Sequence, residues 1–115
     1  MKYTDSLKEN HLFRRLYSKG KSAVTPCVAV YARRNGRNGN RLGFTVGTKL
    51  GHAVVRNRTR RRLREIYRLN EARFPRGYDL VVVARVRAAH APYRELERSF
   101  LKAMEKLGLL GEPRT

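Results

Sequence analysis

Acidic residues and cysteine are scarce in this chain, and each of these shortages excludes a class of protein. The 115 residues contain 9 Asp and Glu against 27 Lys and Arg, a formal net charge of +18. There is no tryptophan and one cysteine, Cys27, so no disulfide can form within the chain. No apolar run approaches the roughly 20 residues of a membrane-spanning helix, and the first residues lack the apolar core of a signal peptide. We therefore expect one small domain in a reducing cytoplasm.

The shortage of carboxylates and histidines also argues against chemistry carried by the protein. His11, His52 and His90 are isolated in the sequence, which is not the spacing of metal ligands. Asp79 begins a predicted strand, and most glutamates fall on predicted helices among Arg and Lys. No pair resembles the carboxylate cluster of a two-metal nuclease. We predict no catalytic residue and no metal ligand in the chain.

Basic residues are concentrated between positions 49 and 68. They are Lys49, Arg56, Arg58, Arg60, Arg61, Arg62, Arg64 and Arg68. On a helix from about 54 to 74 that advances about 100° per residue, one side carries Val55, Thr59, Leu63, Ile66 and Phe74, with Asn70 beside them. The opposite side, which we call the cationic face, carries Asn57, Arg60, Arg61, Arg64 and Arg68. Like charges four residues apart destabilise a helix unless it meets a polyanion. The pattern therefore predicts binding to a phosphate backbone, with an anionic membrane surface as second choice.

The first half of the chain predicts a helix followed by strands. A short helix is expected over about 8–19, then strands at 21–24 and 26–33. The turn-rich segment 34–40 indicates a hairpin loop, with a return strand at 41–46.

The second half predicts a strand and a helix after the basic helix. The continuous apolar run 80–84 is typical of a strand buried on both faces. Pro92 begins a last helix that Gly108 ends. The whole is an α+β fold, a single-domain α-β sandwich over 1–115 in the order α-β-β-β-α-β-α. We expect the ends 1–6 and 109–115 to be loosely ordered.

Aromatic side chains indicate a second surface. Tyr31 and Arg33 alternate onto the outer face of their strand, and Phe13 and Tyr17 of the first helix lie nearby in a sandwich. Aromatic rings with cations around them can stack unpaired bases. Core packing remains an equal alternative for Phe13 and Tyr17. Gly43, on the outer face of the return strand, leaves the backbone open to close approach.

The basic segment resembles the signature of the bacterial ribonuclease P protein family. Its residues 49–65 read KLGHAVVRNRTRRRLRE, with Lys, Gly two positions on, Ala-Val, Arg-Asn-Arg, a basic pair and a further Arg. The turn-rich segment and the strand sequence GYDLVVVAR at 77–85 extend the resemblance over about residues 6–108. Two departures stand out. Tyr17 stands where Phe is common, and Arg62 stands where an apolar residue is usual.

The resemblance implies a left-handed βαβ crossover around the basic helix and a role as the small subunit of a ribonucleoprotein. The RNA subunit would remove the 5′ leader from precursor tRNA by Mg²⁺-dependent hydrolysis, with no cofactor bound to the protein. The residues implied in binding the catalytic RNA are Lys49, Arg56, Asn57, Arg58, Arg60, Arg61 and Arg64, to which the cationic face adds Arg68. The residues implied in a leader-binding cleft are Phe13, Tyr17 and Tyr31, to which the strand pattern adds Arg33. Neither a membrane nor an obligatory protein partner is expected.

The residues are also compatible with other functions. A ribosomal or general basic RNA-binding protein without turnover predicts no effect on leader removal. A nuclease acting without RNA would need the carboxylate cluster that the chain lacks. A basic peptide on a membrane surface is disfavoured by the strand-forming middle of the chain.

Overall fold

A computed structural model describes residues 1–112 of the chain as one mixed α+β domain. The elements in chain order are β1 (Thr4–Ser6), α1 (Asn10–Lys19), β2 (Lys21–Val24), β3 (Val28–Arg34), β4 (Asn40–Thr45), α2 (Ala53–Asn70), β5 (Tyr78–Ala84) and α3 (Tyr93–Lys106). Short 3-10 turns lie at Thr48–Leu50, Glu71–Arg73 and Val86–Ala89. The predicted fold class is confirmed, and the predicted order lacks only the first strand.

The five strands form one sheet in the order β1-β4-β5-β3-β2, with β5 in the centre. Its apolar run is buried on both faces, because Leu80 and Val82 join the core beneath α2 and α3 while Val81 packs under α1. Strand β3 pairs with β5 antiparallel, and β4 pairs with it parallel. Strand β4, helix α2 and β5 therefore form a βαβ unit. The prediction that the run 80–84 forms a strand buried on both faces is confirmed.

The predicted hairpin between β3 and β4 is wrong. The chain does reverse between them, but β5 inserts between the two strands. Tyr31 of β3 and Gly43 of β4 both lie opposite Val81 of β5. Turn residues signal only a local reversal, whereas burial of the apolar run of β5 on both faces decides which strands pair.

Helix α2 buries the predicted stripe against the sheet and α3. Leu63 and Ile66 are buried as predicted, and Tyr67 is also fully buried, which was not predicted. The Tyr67 ring packs against Phe74 and Phe100, with centroids 5.1 and 6.4 Å away. Each such aromatic pair adds about 0.5–1.5 kcal/mol beyond the area that it buries. The opposite flank of the helix is thereby fixed toward solvent.

Helix α2 ends earlier than predicted. Its last residue is Asn70, whose side-chain amide donates to the carbonyl of Ile66 at 2.8 Å. Asn side chains compete in this way with backbone hydrogen bonds and so favour helix ends. The chain continues through the 3-10 turn Glu71–Arg73, and Phe74 is extended but still buried.

The expectation of a loosely ordered start does not hold for residues 4–6, which form β1 parallel to β4. The carboxylate of Glu71 accepts hydrogen bonds from the Thr4 hydroxyl and from the backbone N–H groups of Lys2, at 2.9 Å, and Tyr3, at 3.4 Å. Burial acts to raise the pKa of Glu71, but these hydrogen bonds together hold it below its ordinary value of 4.5. The sequence gives no signal for this strand, because its anchor lies nearly seventy residues away.

The far end of the described chain is also attached. Leu109 is buried in the main core, and the N–H of Gly111 donates to the carbonyl of Arg73 at 2.8 Å. The rest of the segment expected to be loosely ordered, 113–115, lies outside the described residues. Within residues 1–112, every helix is too short or too polar to cross a membrane.

Candidate nucleic-acid interface

The cationic face of α2 points away from the core, as predicted. Its members Asn57, Arg61, Arg64 and Arg68 are exposed and Arg60 is half-buried. Arg60 donates to the Asn57 side-chain oxygen at 3.1 Å. Arg68 pairs with Glu65 (Nε to Oε2 3.1 Å), and this hydrogen bond lowers the pKa of Glu65. Glu65 thus neutralises part of the positive charge at one end of the cationic face.

Arg61 and Arg64 are exposed arginines of this face, whereas Arg60, also without a carboxylate partner in residues 1–112, is half-buried and bonded to Asn57. Within residues 1–112, neither Arg61 nor Arg64 forms an ion pair with a carboxylate. Both line a hollow of about 330 Å³ between α2 and the β1 edge of the sheet. The other lining residues are Met1, Thr4, Asp5, Ser6, Leu42, Phe44, Glu65 and Arg68. Three guanidinium groups beside two carboxylates leave the hollow positive, which suits a phosphate group.

Two further arginines of α2 are directed at the protein itself. Arg58 donates to the carbonyl of Ala89 at 3.2 Å, and Arg62 donates to the carbonyl of Ala91 at 2.6 Å. They fasten the helix to the segment that leads into α3. Arg62 is half-buried beside the core stripe. The sequence could not show this use of Arg58, since the accepting groups are backbone carbonyls some thirty residues away.

The remaining predicted contacts precede or begin α2. Lys49 is exposed in the 3-10 turn before the helix, and Arg56 is half-buried with its Nε enclosed and without a hydrogen-bond partner in the described chain. Gly51 between them has φ 137°, and a Cβ there would lie 3.2 Å from Cβ of Val55. Only glycine readily adopts this entry into the helix.

The aromatic residues predicted as a second surface meet on the other face of the sheet. A hollow of about 540 Å³, which we call the leader hollow, is lined by Asn10, Phe13, Arg14, Tyr17 and Thr45. The Tyr17 ring packs edge-on against Tyr31, with centroids 5.0 Å apart and an interplanar angle of 84°. The Tyr17 hydroxyl hydrogen-bonds to Thr45 Oγ1 at 2.7 Å. Tyr17 is 42% exposed, so core packing does not describe it, whereas Phe13 is half-buried.

The position of the Phe13 ring depends on the absence of a side chain at Gly43. A Cβ at Gly43 would lie 2.5 Å from Cζ of Phe13, so the ring occupies the space that a side chain would fill. The close approach predicted at this glycine is therefore made by an aromatic ring of the protein itself. The ring also covers the smaller core of Leu12, Leu16 and Val81.

Arg33 does not join the leader hollow. In the pairing of β3 with β5, Arg33 lies opposite Asp79, Tyr31 opposite Val81 and Ala29 opposite Val83, and Thr45 of β4 pairs with Val83 from the other side. Arg33 and Thr45 therefore lie on opposite sides of the row that contains Tyr31. Arg33 lines a separate hollow at the β2–β3 edge.

Among residues 1–112, the buried carboxylate on this face, that of Asp79, is already paired. Asp79 accepts two hydrogen bonds from Arg41, both 2.8 Å, and one from Asn35 at 3.1 Å. The hydrogen bond with Asp79 raises the pKa of Arg41. Residues 1–112 contain no group of three or more His, Cys, Asp or Glu side chains that could hold a metal ion.

The fold and its surface define a small, strongly basic α+β protein with a cationic helix inside a βαβ unit. These features are typical of a nucleic-acid-binding protein. The family model for Ribonuclease P matches residues 1–108. The chain is 43% identical to the ribonuclease P protein component of Natranaerobius thermophilus, over 91% of each chain, and 41% identical to that of Alkaliphilus oremlandii, over 96% of each. The solved structure of the Staphylococcus aureus RNase P protein matches with a TM-score of 0.84 at 29% identity, over 92% of this chain and 97% of that one. The chain belongs to the ribonuclease P protein family.

Membership of this family identifies the activity in which the chain takes part. It is the protein subunit of the ribonuclease P ribonucleoprotein, which processes tRNA, and its partner is the RNA subunit. The alternative of a general basic RNA-binding protein without turnover is set aside by these matches.

Proposed function

We propose that the cationic face binds the RNA subunit and that the leader hollow binds the 5′ leader of precursor tRNA. The carrying observation is that Arg61 and Arg64 lie exposed on one helix flank without a carboxylate partner in the described chain. Guanidinium groups bind phosphates through paired hydrogen bonds, and their like charges repel until a polyanion neutralises them.

The leader hollow suits an unpaired strand. Tyr17 lines the hollow and offers a ring on which a base can stack, and Tyr31, packed edge-on against Tyr17, extends this aromatic surface beyond the lining. Arg14, also in the lining, is placed for the backbone. Mature tRNA has no leader to fill this hollow, so precursor would bind more tightly than product. Strand β4 reaches both surfaces, because Phe44 lines the hollow beside the cationic face and Thr45 lines the leader hollow.

We propose that the RNA subunit binds the catalytic Mg²⁺. Both surfaces present cations, which repel a divalent cation, whereas RNA phosphates attract it. The protein would lower the repulsion between two polyanions and so help Mg²⁺ to act at lower concentration. We place the holoenzyme in the cytoplasm, and the free thiol of Cys27 is consistent with a reducing compartment.

The test uses a holoenzyme reconstituted from this protein and a bacterial catalytic RNA of the family. Dissociation constants for precursor and mature tRNA are measured with the wild-type protein, Tyr31→Ala and Tyr31→Phe. Loss of one stacked base, worth about 1–3 kcal/mol, should weaken precursor binding about tenfold in Tyr31→Ala. Mature tRNA should be unaffected, and Tyr31→Phe should behave as wild type because it keeps the ring.

The matched control is Tyr93→Ala, which removes another partly exposed tyrosine, on α3. It should leave both constants unchanged. An equal loss for precursor and mature tRNA in Tyr31→Ala, or an equal loss in the control, would contradict leader binding in this hollow.

A further inference from the structure

Strand β2 forms an open edge of the sheet. It stands last in the strand order, and within residues 1–112 it pairs only with β3. An edge strand presents unpaired backbone N–H and C=O groups, with which another extended chain can pair. The opposite edge, β1, lies beside the hollow that the cationic face lines and so belongs to the surface described above. The edge at β2 has no part in the function proposed above.

The register shows which backbone groups of β2 face outward. The N–H of Thr25 donates to the Val28 carbonyl at 2.9 Å, and the next pair along the ladder is Val24 with Ala29. Hydrogen-bonded and non-hydrogen-bonded pairs alternate along an antiparallel ladder. By this alternation, Ser22 and Val24 turn their N–H and C=O groups away from β3.

A contact with α3 agrees with this direction. The Val24 carbonyl accepts a hydrogen bond from Nζ of Lys106 at 3.1 Å, which a carbonyl engaged in the ladder with β3 would not need. The N–H and C=O groups of Ser22 and the N–H group of Val24 remain for a partner. These groups form a short row of alternating donors and acceptors.

Cations flank this row on the α3 side of the sheet. Lys21 points to the same face as Ala23, whose side chain is part of the core that α3 covers. Lys21 and Lys106 are both exposed, and neither forms an ion pair with a carboxylate of residues 1–112. Glu105, next to Lys106 on α3, pairs with Lys102 instead.

The other face of β2 is uncharged. Ser22 and Val24 direct their side chains there, and Val24 is 49% exposed. Residues that lie opposite each other in paired strands point to the same face. A strand added to this edge would therefore place one set of side chains beside the two lysines and the alternate set beside Val24.

These features select one kind of occupant. A second copy of the chain is disfavoured, because each copy has a formal net charge of +18 and lysines on an edge strand oppose pairing between like copies. An RNA backbone could accept from the outward N–H groups, but it would leave the Ser22 carbonyl unpaired. A peptide strand pairs with both kinds of group.

We propose that the β2 edge binds an extended, acidic segment of another protein, which adds antiparallel to the sheet as a sixth strand. Acidic side chains of the segment contact Lys21 and Lys106, and the apolar side chains between them contact Val24. This surface is separate from the cationic face and from the leader hollow, so the segment can bind while the RNA subunit is in place.

The probe is a peptide of about eight residues, an ordinary strand length, that alternates Glu and Val and is blocked at both ends. Fluorescence anisotropy measures its binding to the reconstituted holoenzyme, in which the RNA subunit neutralises other cations that would attract any acidic peptide. Two peptides of equal charge are the matched controls. One is N-methylated at its valines and the other at its glutamates.

The controls separate strand pairing from charge attraction. Valines of the probe lie opposite Ser22 and Val24, so their N–H groups donate to β2, whereas the glutamate N–H groups point away. N-methylation of the valines should weaken binding at least about tenfold through lost hydrogen bonds. N-methylation of the glutamates should change binding little.

Two pairs of variants test the protein side. Ser22→Pro removes an outward N–H without breaking a bond to β3, and it should weaken binding about fivefold, whereas Ser22→Ala should bind as wild type. Lys21→Gln/Lys106→Gln should weaken binding and lower its salt dependence. Arg94→Gln/Arg98→Gln, which removes the same charge from exposed positions of α3, should do neither.

Hydrogen exchange gives a readout that does not depend on the folding of Ser22→Pro. The peptide should slow exchange of the Ser22 and Val24 amides in the wild-type holoenzyme. Unchanged exchange at these amides, or no binding of the unmethylated probe, would overturn the inference. Equal affinity of the two N-methylated peptides would also overturn it, since binding would then reflect charge alone. Weaker binding of the RNA subunit by Lys21→Gln/Lys106→Gln would assign this edge to RNA instead.

Discussion

Removal of two exposed arginines from the cationic face should change the salt dependence of RNA binding. Arg61→Gln/Arg64→Gln deletes two charges that have no carboxylate partner within residues 1–112 and lie exposed. The substitution touches no part of the buried stripe, so the free energy of unfolding should change little. A loss of affinity would then report lost contacts with RNA.

The magnitude follows from counterion release. Each phosphate contact contributes about 0.7–0.9 to the slope of log affinity against log salt, so two lost contacts lower the slope by about 1.4–1.8. Between about 50 and 200 mM salt the wild type should lose about tenfold more affinity than the variant does.

The assay is equilibrium titration of the RNA subunit at several salt concentrations. The matched control is Arg58→Gln/Arg62→Gln, which removes the same charge from the same helix but from groups that donate to Ala89 and Ala91. The control should lose about 1–3 kcal/mol of unfolding free energy, with a smaller change in slope. An unchanged slope in Arg61→Gln/Arg64→Gln, or an equal change in both variants, would refute this reasoning.

Two further predictions concern the surroundings of the surfaces. Gly43→Ala should displace the Phe13 ring, lower the free energy of unfolding by about 1–3 kcal/mol through overpacking, and weaken precursor binding more than mature tRNA binding. Gly47→Ala, where a Cβ meets nothing within 4 Å, should change neither stability nor binding. Chemical denaturation and tRNA titration measure these effects, and equal effects of the two substitutions would contradict the packing argument. Because the folded pKa of Glu71 is lowered, its contribution to stability is present above its ordinary value of 4.5 and is lost as the pH falls below it. Denaturation across this window should show that loss in the wild type and not in Glu71→Gln, and parallel curves would show that Glu71 does not anchor β1.

Local patterns predicted the helices and the burial of the central strand. The 3.6-residue spacing of Thr59, Leu63 and Ile66 marked the inward side of α2, and all three are buried. The apolar run of β5 indicated a strand covered on both sides. These predictions succeed because a single element carries the whole signal.

Features that depend on distant partners were not predictable. Strand pairing between β3 and β5 joins residues about fifty positions apart, and β1 is held by Glu71. Tyr67 is buried at a position that the helical wheel left unassigned. The sequence shows Arg58 as a cation of the basic segment, but it does not show that Arg58 donates a hydrogen bond to a remote carbonyl.

The central claim, that the cationic face contacts the RNA subunit, is tested most directly by the chemical reactivity of individual arginines. Modification by an arginine-specific dicarbonyl reagent, located by mass spectrometry, would be compared with and without the RNA subunit. Arg61 and Arg64 should become protected, and the exposed Arg94 and Arg98 of α3 should keep their reactivity. Equal reactivity of Arg61 and Arg64 in the free and bound protein would contradict the account.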